Sequence, residues 1–175
     1  VGNFDISVAL TLVNEGGFQK IPSDKGNWTG GQVNVGELKG TKYGISASQF
    51  PTEDIENLTV DRAKELYFTS PKEFWNPLYE QIKDQFVCNK VFDVGVLFGP
   101  PRAVKDLQEI LQPQFPEVVP DMQFGQRTLA AVNASEPVSL LVAYKTRLVA
   151  NAIQAASNNP NERSFISSWI RRINS

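Results

Sequence analysis

Asn14-Glu15-Gly16-Gly17-Phe18 closes an apolar run and sets a single carboxylate at its end. In that run, residues 3–15, Phe4, Val8 and Leu12 fall on one helical stripe and Ile6, Leu10 and Val13 on another. Asn3 or Asp5 can cap the start. Gly16-Gly17 stops the helix, because glycine takes the left-handed conformation at little cost. Glu15 is therefore expected in the last turn. There the carbonyl end of the helix disfavours a negative charge by about 0.3–1 kcal/mol, which suits a group whose task is to carry a proton.

Downstream of this stretch the pattern changes. Residues 18–45 hold glycines at 26, 30, 31, 36, 40 and 44 and few apolar repeats. They read as irregular chain with two short strand candidates, Gln32–Val35 and Thr41–Ile45. A non-helical segment of this length in a compact protein is usually functional. Residues 46–50 read as a short helix. Thr59 caps the next one, with Val60, Ala63, Leu66 and Tyr67 on one face. Pro71 opens a further turn, after which Phe74 and Trp75 point inward.

The second half of the chain is mostly helical. Residues 80–98 are apolar on most sides (Phe86, Val87, Val91, Phe92, Val94, Leu97), which places them at the centre of the fold. Gly99-Pro100-Pro101 ends that helix and starts another over 101–111. Residues 112–125 form a proline-containing connection. Helices are expected over 126–133, 137–157 and 161–173, the last with Phe165, Trp169 and Ile173 four residues apart. The expected class is mainly α with one small β region near the N-terminus.

Composition removes several kinds of chemistry. The chain has 175 residues and no histidine. This excludes Ser-His-Asp and Cys-His nucleophilic systems and zinc sites built on imidazole. Cys88 stands alone in an apolar context and reads as a small buried hydrophobe, with no disulfide available within the chain. Net charge is −2, so no basic field attracts nucleic acid or anionic lipid. Residues 1–101 carry 9 Lys and Arg against 13 Asp and Glu, and residues 102–175 carry 8 against 6. That mild shift reads as solvated surface. No apolar run is long enough to span a membrane. No basic region followed by an apolar core marks an export signal near Val1, so the export route stays open.

Aspartate and glutamate are left as the ordinary titrating groups near neutral pH, and chemistry run by carboxylates alone points first to glycoside cleavage. Glu15 is the acid candidate by position. Asp24 or Glu37 can face it as partner base or electrostatic stabiliser. Each has an ordinary alternative: Glu15 as a solvated helix end, Asp24 after Ser23 as a turn former, Glu37 beside Lys39 as an exposed ion pair. Trp28, in a polar loop, is either an anchor for that loop or a platform for a sugar ring. The sequons at Asn27, Asn57 and Asn133 receive no role.

Three stretches together carry a family resemblance: Glu15-Gly16-Gly17-Phe18, Asp24-Lys25-Gly26-Asn27-Trp28-Thr29-Gly30-Gly31 and Gly36-Glu37-Leu38-Lys39-Gly40-Thr41-Lys42-Tyr43-Gly44-Ile45-Ser46. They resemble the N-terminal domain of glycoside hydrolase family 108, the lysozyme-like N-acetylmuramidases of bacteria and phages, some of them labelled secretion activator proteins. Phe92-Asp93-Val94-Gly95-Val96-Leu97-Phe98-Gly99-Pro100-Pro101-Arg102-Ala103 resembles the second core motif of the family. Phe124-Gly125-Gln126-Arg127-Thr128-Leu129-Ala130-Ala131 resembles the start of its predicted peptidoglycan-binding half. The resemblance covers nearly the whole chain. It implies a lysozyme-like α+β fold with a small β-hairpin region, a catalytic region at 1–101 and a helical peptidoglycan-binding region at 102–175 packed on it. It implies Glu15 as the catalytic acid and Asp24 as a groove residue; of the carboxylates that can face Glu15, Asp24 is the one chosen here as its partner. Thr41 and Tyr43 become groove residues, and Trp28, Glu37 and Asp93 complete the expected substrate contacts. The chain departs from the pattern at Leu97 and Phe98, where family members often show Asn-Ser.

The function implied is muramidase activity: hydrolysis of the β-1,4 bond between N-acetylmuramic acid and N-acetylglucosamine in peptidoglycan. It needs no cofactor or metal and no nucleic-acid or membrane-inserted partner, is compatible with a monomer, and acts at the bacterial wall, in the periplasm or outside the cell. A lytic transglycosylase also requires only one glutamate. The reading from another class is a non-catalytic wall-binding or scaffold module of a phage particle or secretion system. A zinc amidase is disfavoured by the missing histidines.

Overall fold

The apolar segment placed at the centre from sequence does become the central helix of its part of the molecule. The structure is a computed structural model that describes the backbone of residues 1–70 and 73–175, and the side chains of these except 160–162. The turn expected at Pro71 lies outside the described residues. The helices are α1 (Phe4–Asn14), α2 (Val60–Thr69), α3 (Gln85–Phe98), α4 (Pro100–Leu111), α5 (Gln126–Ala134), α6 (Pro137–Asn158) and α7 (Ile166–Asn174). Among the described residues the sheet is one antiparallel hairpin of β1 (Thr41–Lys42) and β2 (Ile45–Ser46). This is the mainly α class with a small N-terminal hairpin that the sequence leads one to expect.

The chain divides into two compact units, residues 1–7 with 74–175, and residues 8–73. The division falls inside α1 and again just before Phe74. It differs from a break at 101/102 for a physical reason: α3 packs on α4 and α6, so the helices on either side of Gly99 share one core.

In the larger unit, α3 buries Val87, Cys88, Val91, Phe92 and Val94. Its start lies later than expected. Residues 77–81 form a short 3-10 helix, and Asp84 then caps α3 by accepting from the Val87 N–H at 2.9 Å. Phe86, expected inward, is 72% exposed. Phe4, Trp75, Phe92, Tyr79 and Phe124 meet edge to face, with ring centroids 4.9–5.9 Å apart along the cluster. Gly99 ends α3 at φ 92, and its N–H returns to the Gly95 carbonyl at 2.9 Å. Pro100 and Pro101 then open α4, where a missing N–H costs nothing. Tyr144 of α6 is fully buried and donates to the Ala103 carbonyl at 2.8 Å.

Two polar groups in this unit are shaped by burial. The Cys88 thiol is pushed up to about 11, because desolvation penalises the thiolate. That is the inert, packed cysteine the sequence suggests. Lys90 is held down at about 8, chiefly by burial, with the neighbouring Asp93 opposing the shift.

In the smaller unit, the rest of α1 leads into the glycine-rich loop, the hairpin and α2. Thr59 caps α2 by accepting from the Arg62 N–H at 3.1 Å. Ala63, Leu66 and Tyr67 are buried, and Val60 is not. Three expectations need correction here. Thr41–Ile45 is not one strand: it holds β1, a turn at Tyr43-Gly44 and the start of β2. Gln32–Val35 is a turn, closed by Val35 N–H to the Gln32 carbonyl at 3.1 Å, with Asn34 at φ 64. The apolar Val33 and Val35 that suggested a strand are exposed. Residues 46–50 make one turn only, from Ser46 to Phe50, before Pro51 interrupts the chain. The α1 stripes also resolve unequally: Val8 is buried, while Ile6, Leu10 and Val13 are exposed.

Candidate active site

Glu15 follows the last residue of α1, and its N–H closes the final helical turn on the Thr11 carbonyl at 3.2 Å. Its side chain is half-buried. The hairpin approaches it closely. Lys42 and Ile45 pair across a two-residue turn whose central residues, Tyr43 and Gly44, have φ of 53° and 75°. Positive φ at both positions is what a tight type I′ hairpin requires. The Tyr43 N–H donates to the Gly16 carbonyl at 3.2 Å, which ties the turn to the segment carrying the acid. A β-carbon on Gly44 would stand 2.8 Å from Glu15 Oε2 and 2.2 Å from the Tyr67 hydroxyl. Only glycine leaves room there, so the motif glycine and the acid occupy one crowded point.

The glycine-rich loop is held by Asn27, which is fully buried. Its Oδ1 accepts from the Ile21 N–H at 3.0 Å. Its Nδ2 donates to Asp24 Oδ2 at 2.8 Å and to Thr41 Oγ1 at 3.3 Å. Its carbonyl accepts from the N–H groups of Lys39 and Gly40, both at 3.0 Å. Backbone pairing of Gln19 with Thr41, at 2.8 and 2.9 Å, joins the segment following Glu15 to the hairpin. One asparagine thus fixes Asp24, Thr41 and the entry to β1 together. Asn27→Ala is expected to cost about 1–3 kcal/mol through the unpaired groups it leaves, measured as a lowered urea midpoint. An unchanged midpoint would remove Asn27 from this role.

These geometries coincide with a family match. The family model described as Glycosyl hydrolase 108 matches residues 8–99, more than half the chain. The chain belongs to the glycosyl hydrolase 108 family. The model described as Predicted Peptidoglycan domain matches residues 102–174, so the two meet at the Gly99-Pro100-Pro101 break. A role in hydrolysing or binding peptidoglycan follows at that level. Among solved structures, that of Brucella abortus SagA superposes with a TM-score of 0.71 at 22% identity. The match covers 98% of this chain and 89% of that one, and at this identity it shows the shared fold. No curated protein matches the chain.

Within this glycosyl hydrolase 108 chain the expected site residues separate into groups. Glu15, Thr41 and Tyr43 belong to the arrangement just described. Asp24 joins it through Asn27, and it is exposed. Its Oδ1 accepts from the Gly26 N–H at 2.8 Å, so it also forms the turn that its position after Ser23 suggests. Trp28 is half-buried, and its indole N–H donates to the Pro22 carbonyl at 2.8 Å, which anchors the loop. Glu37 pairs with Lys39 at 3.8 Å and is largely exposed. It lines an open hollow of about 290 Å³ with Lys20, Asp54 and Glu56. Asp93 belongs to the larger unit. It is buried in the larger unit, where Arg172 grips it at 3.0–3.3 Å and Lys90 stands 4.0 Å away. Its oxygens are engaged by that ion pair.

The departure at Leu97-Phe98 has a packing role. The Phe98 ring meets Trp169 of α7 edge to face at 5.5 Å, and the Arg102 guanidinium lies 4.7 Å from its centre. An apolar ring there completes the contact between α3 and α7. Two residues of the acid's own unit, Asn27 and Tyr67, join the site without a role expected from sequence. Nothing in periodicity distinguishes them: Asn27 looks like loop polarity and Tyr67 like one more core position of α2.

Proposed function

We propose that this protein is a muramidase, cleaving the β-1,4 bond between N-acetylmuramic acid and N-acetylglucosamine, with Glu15 as general acid. The observation carrying the proposal is the carboxyl of Glu15 fixed at the end of α1 against Gly44 of the hairpin. A general acid must be held within hydrogen-bond reach of the leaving oxygen, and a side chain backed by a rigid turn meets that need. Glu15 donates its proton to the glycosidic oxygen as the C1–O bond breaks. The sugar left behind carries positive charge shared between C1 and the ring oxygen. Asp24, exposed and steadied by Asn27 and Gly26, is the carboxylate assigned to face that charge or to take a proton from the attacking water. Thr41 and Tyr43 are assigned to the substrate-facing side of the hairpin, and Trp28 and Glu37 to the loop around it. Water adds at C1 and a reducing end remains. The residues matching the peptidoglycan domain are assigned to holding the polymer.

Digestion of purified sacculi tests this directly. The soluble products are expected to carry reducing muramic ends by mass. Anhydro ends would replace hydrolysis by lytic transglycosylation, and the absence of any soluble product would leave a binding module. Release of reducing N-acetylglucosamine ends would move the cleaved bond.

A further inference from the structure

The Tyr67 ring is buried at 1% exposure, where a phenylalanine would pack as well. A buried phenol needs a hydrogen-bond partner, and here the partner is informative. The Tyr67 hydroxyl donates to the Tyr43 carbonyl at 2.9 Å. Tyr43 is the residue of the hairpin turn held at φ 53. A bulky side chain in the left-handed region costs roughly 1–2 kcal/mol, which glycine there would avoid. Backbone strain of this kind clusters at functional sites when the surroundings hold it in place. Tyr67 from α2 and the Gly16 carbonyl from the other side are what hold it. The phenolic oxygen and Glu15 Oε2 stand 2.2 and 2.8 Å from the same point in front of Gly44, so they are at most 5.0 Å apart.

We infer that Tyr67 is the positioning residue for Glu15. Its hydroxyl fixes the height of the Tyr43-Gly44 turn, and the turn together with the phenolic oxygen bounds the space in which the Glu15 carboxyl can lie. A glutamate has three rotatable side-chain bonds, and a displacement of about 1 Å can cost on the order of 100-fold in rate. A rigid stop on one side of the carboxyl removes most of that freedom. Tyr67 need not touch the sugar to do this. The inference rests on the acid role proposed for Glu15.

The test compares Tyr67→Phe, Gly44→Ala and Glu15→Gln on purified sacculi, with thermal unfolding of each. Tyr67→Phe keeps the ring and is expected to lower kcat about 10- to 100-fold while KM stays within about twofold. Gly44→Ala puts a methyl group against the same two oxygens and is expected to show the same split. A Tyr67→Phe or Gly44→Ala protein with kcat within twofold of wild type, beside an inactive Glu15→Gln, would overturn the positioning role and leave the acid standing. A raised KM at unchanged kcat would overturn it too, because that pattern reports lost substrate binding. If Glu15→Gln turns over as fast as wild type, the acid assignment falls and the positioning role falls with it.

Discussion

Glu15→Gln is expected to stop clearing of chloroform-treated Gram-negative cells while the protein still folds and still binds sacculi. The exchange replaces one carboxyl oxygen by an amide nitrogen and changes little else. The side chain is half-buried at the end of α1, and the amide has the same shape against Gly44. Packing, the Thr11 turn and the hairpin contact through Gly16 are all untouched. The amide cannot release a proton to a leaving oxygen. General acid catalysis is typically worth about 10²–10⁴-fold, so turbidity loss should fall to near the background rate. Binding to sacculi, followed by co-sedimentation, should be unchanged within about twofold, because the variant loses a transition-state interaction and not ground-state contacts. Equal clearing by both proteins would sink the role given to Glu15. Loss of both clearing and sedimentation would place Glu15 in holding the polymer instead.

How much of this was readable from the chain depends on what sets each part. Helix ends signalled by local chemistry were readable nearly to the residue: Thr59 before α2, Gly99-Pro100 between α3 and α4, and Pro137 at the start of α6. These signals act within a turn or two of sequence, so no tertiary information is needed. The start of α3 was missed because Pro77–Gln81 is already helical in its periodicity, and only the Asp84 cap separates the two. The buried side of α1 was not decidable either. With apolar residues on both stripes, the pattern does not say that Val8 is covered and that Leu10 is not. In the glycine-rich loop, order comes from hydrogen bonds between residues far apart in sequence. Asn27 reaches Ile21, Asp24, Lys39 and Thr41, and Tyr67 reaches Tyr43 across 24 positions. Such links have no period, so the family motif marked the region while its internal logic stayed hidden. Gln32–Val35 shows the opposite error: alternating valines imitate a strand where Gly30, Gly31 and Gly36 make a turn.

Asp93→Ala is expected to damage stability more than any site substitution, by about 3–5 kcal/mol, the usual cost of breaking a buried ion pair from one side. Asp93 and Arg172 side chains are 9% and 12% exposed, and the guanidinium reaches both carboxylate oxygens. Lys90, equally buried, stands 4.0 Å from Asp93 Oδ2. Removing Asp93 leaves two buried cations without the carboxylate that both approach. The effect carries a pH signature. Lys90 is already held down at about 8 by burial, against an ordinary value of 10.5, and Asp93 is what keeps it from falling further. A lysine with a lowered folded-state value binds fewer protons folded than unfolded between those two values, so its contribution to stability improves as pH rises through that window. In Asp93→Ala the folded-state value drops, and the window opens at lower pH. The variant therefore recovers stability relative to wild type as pH rises toward 8, and the gap stays constant above it. Urea midpoints at pH 6 and pH 9 measure this: the deficit should be clearly smaller at pH 9. A deficit equal at the two pH values would mean that Lys90 does not feel Asp93. A deficit below about 1 kcal/mol at both would mean that the pair is solvated.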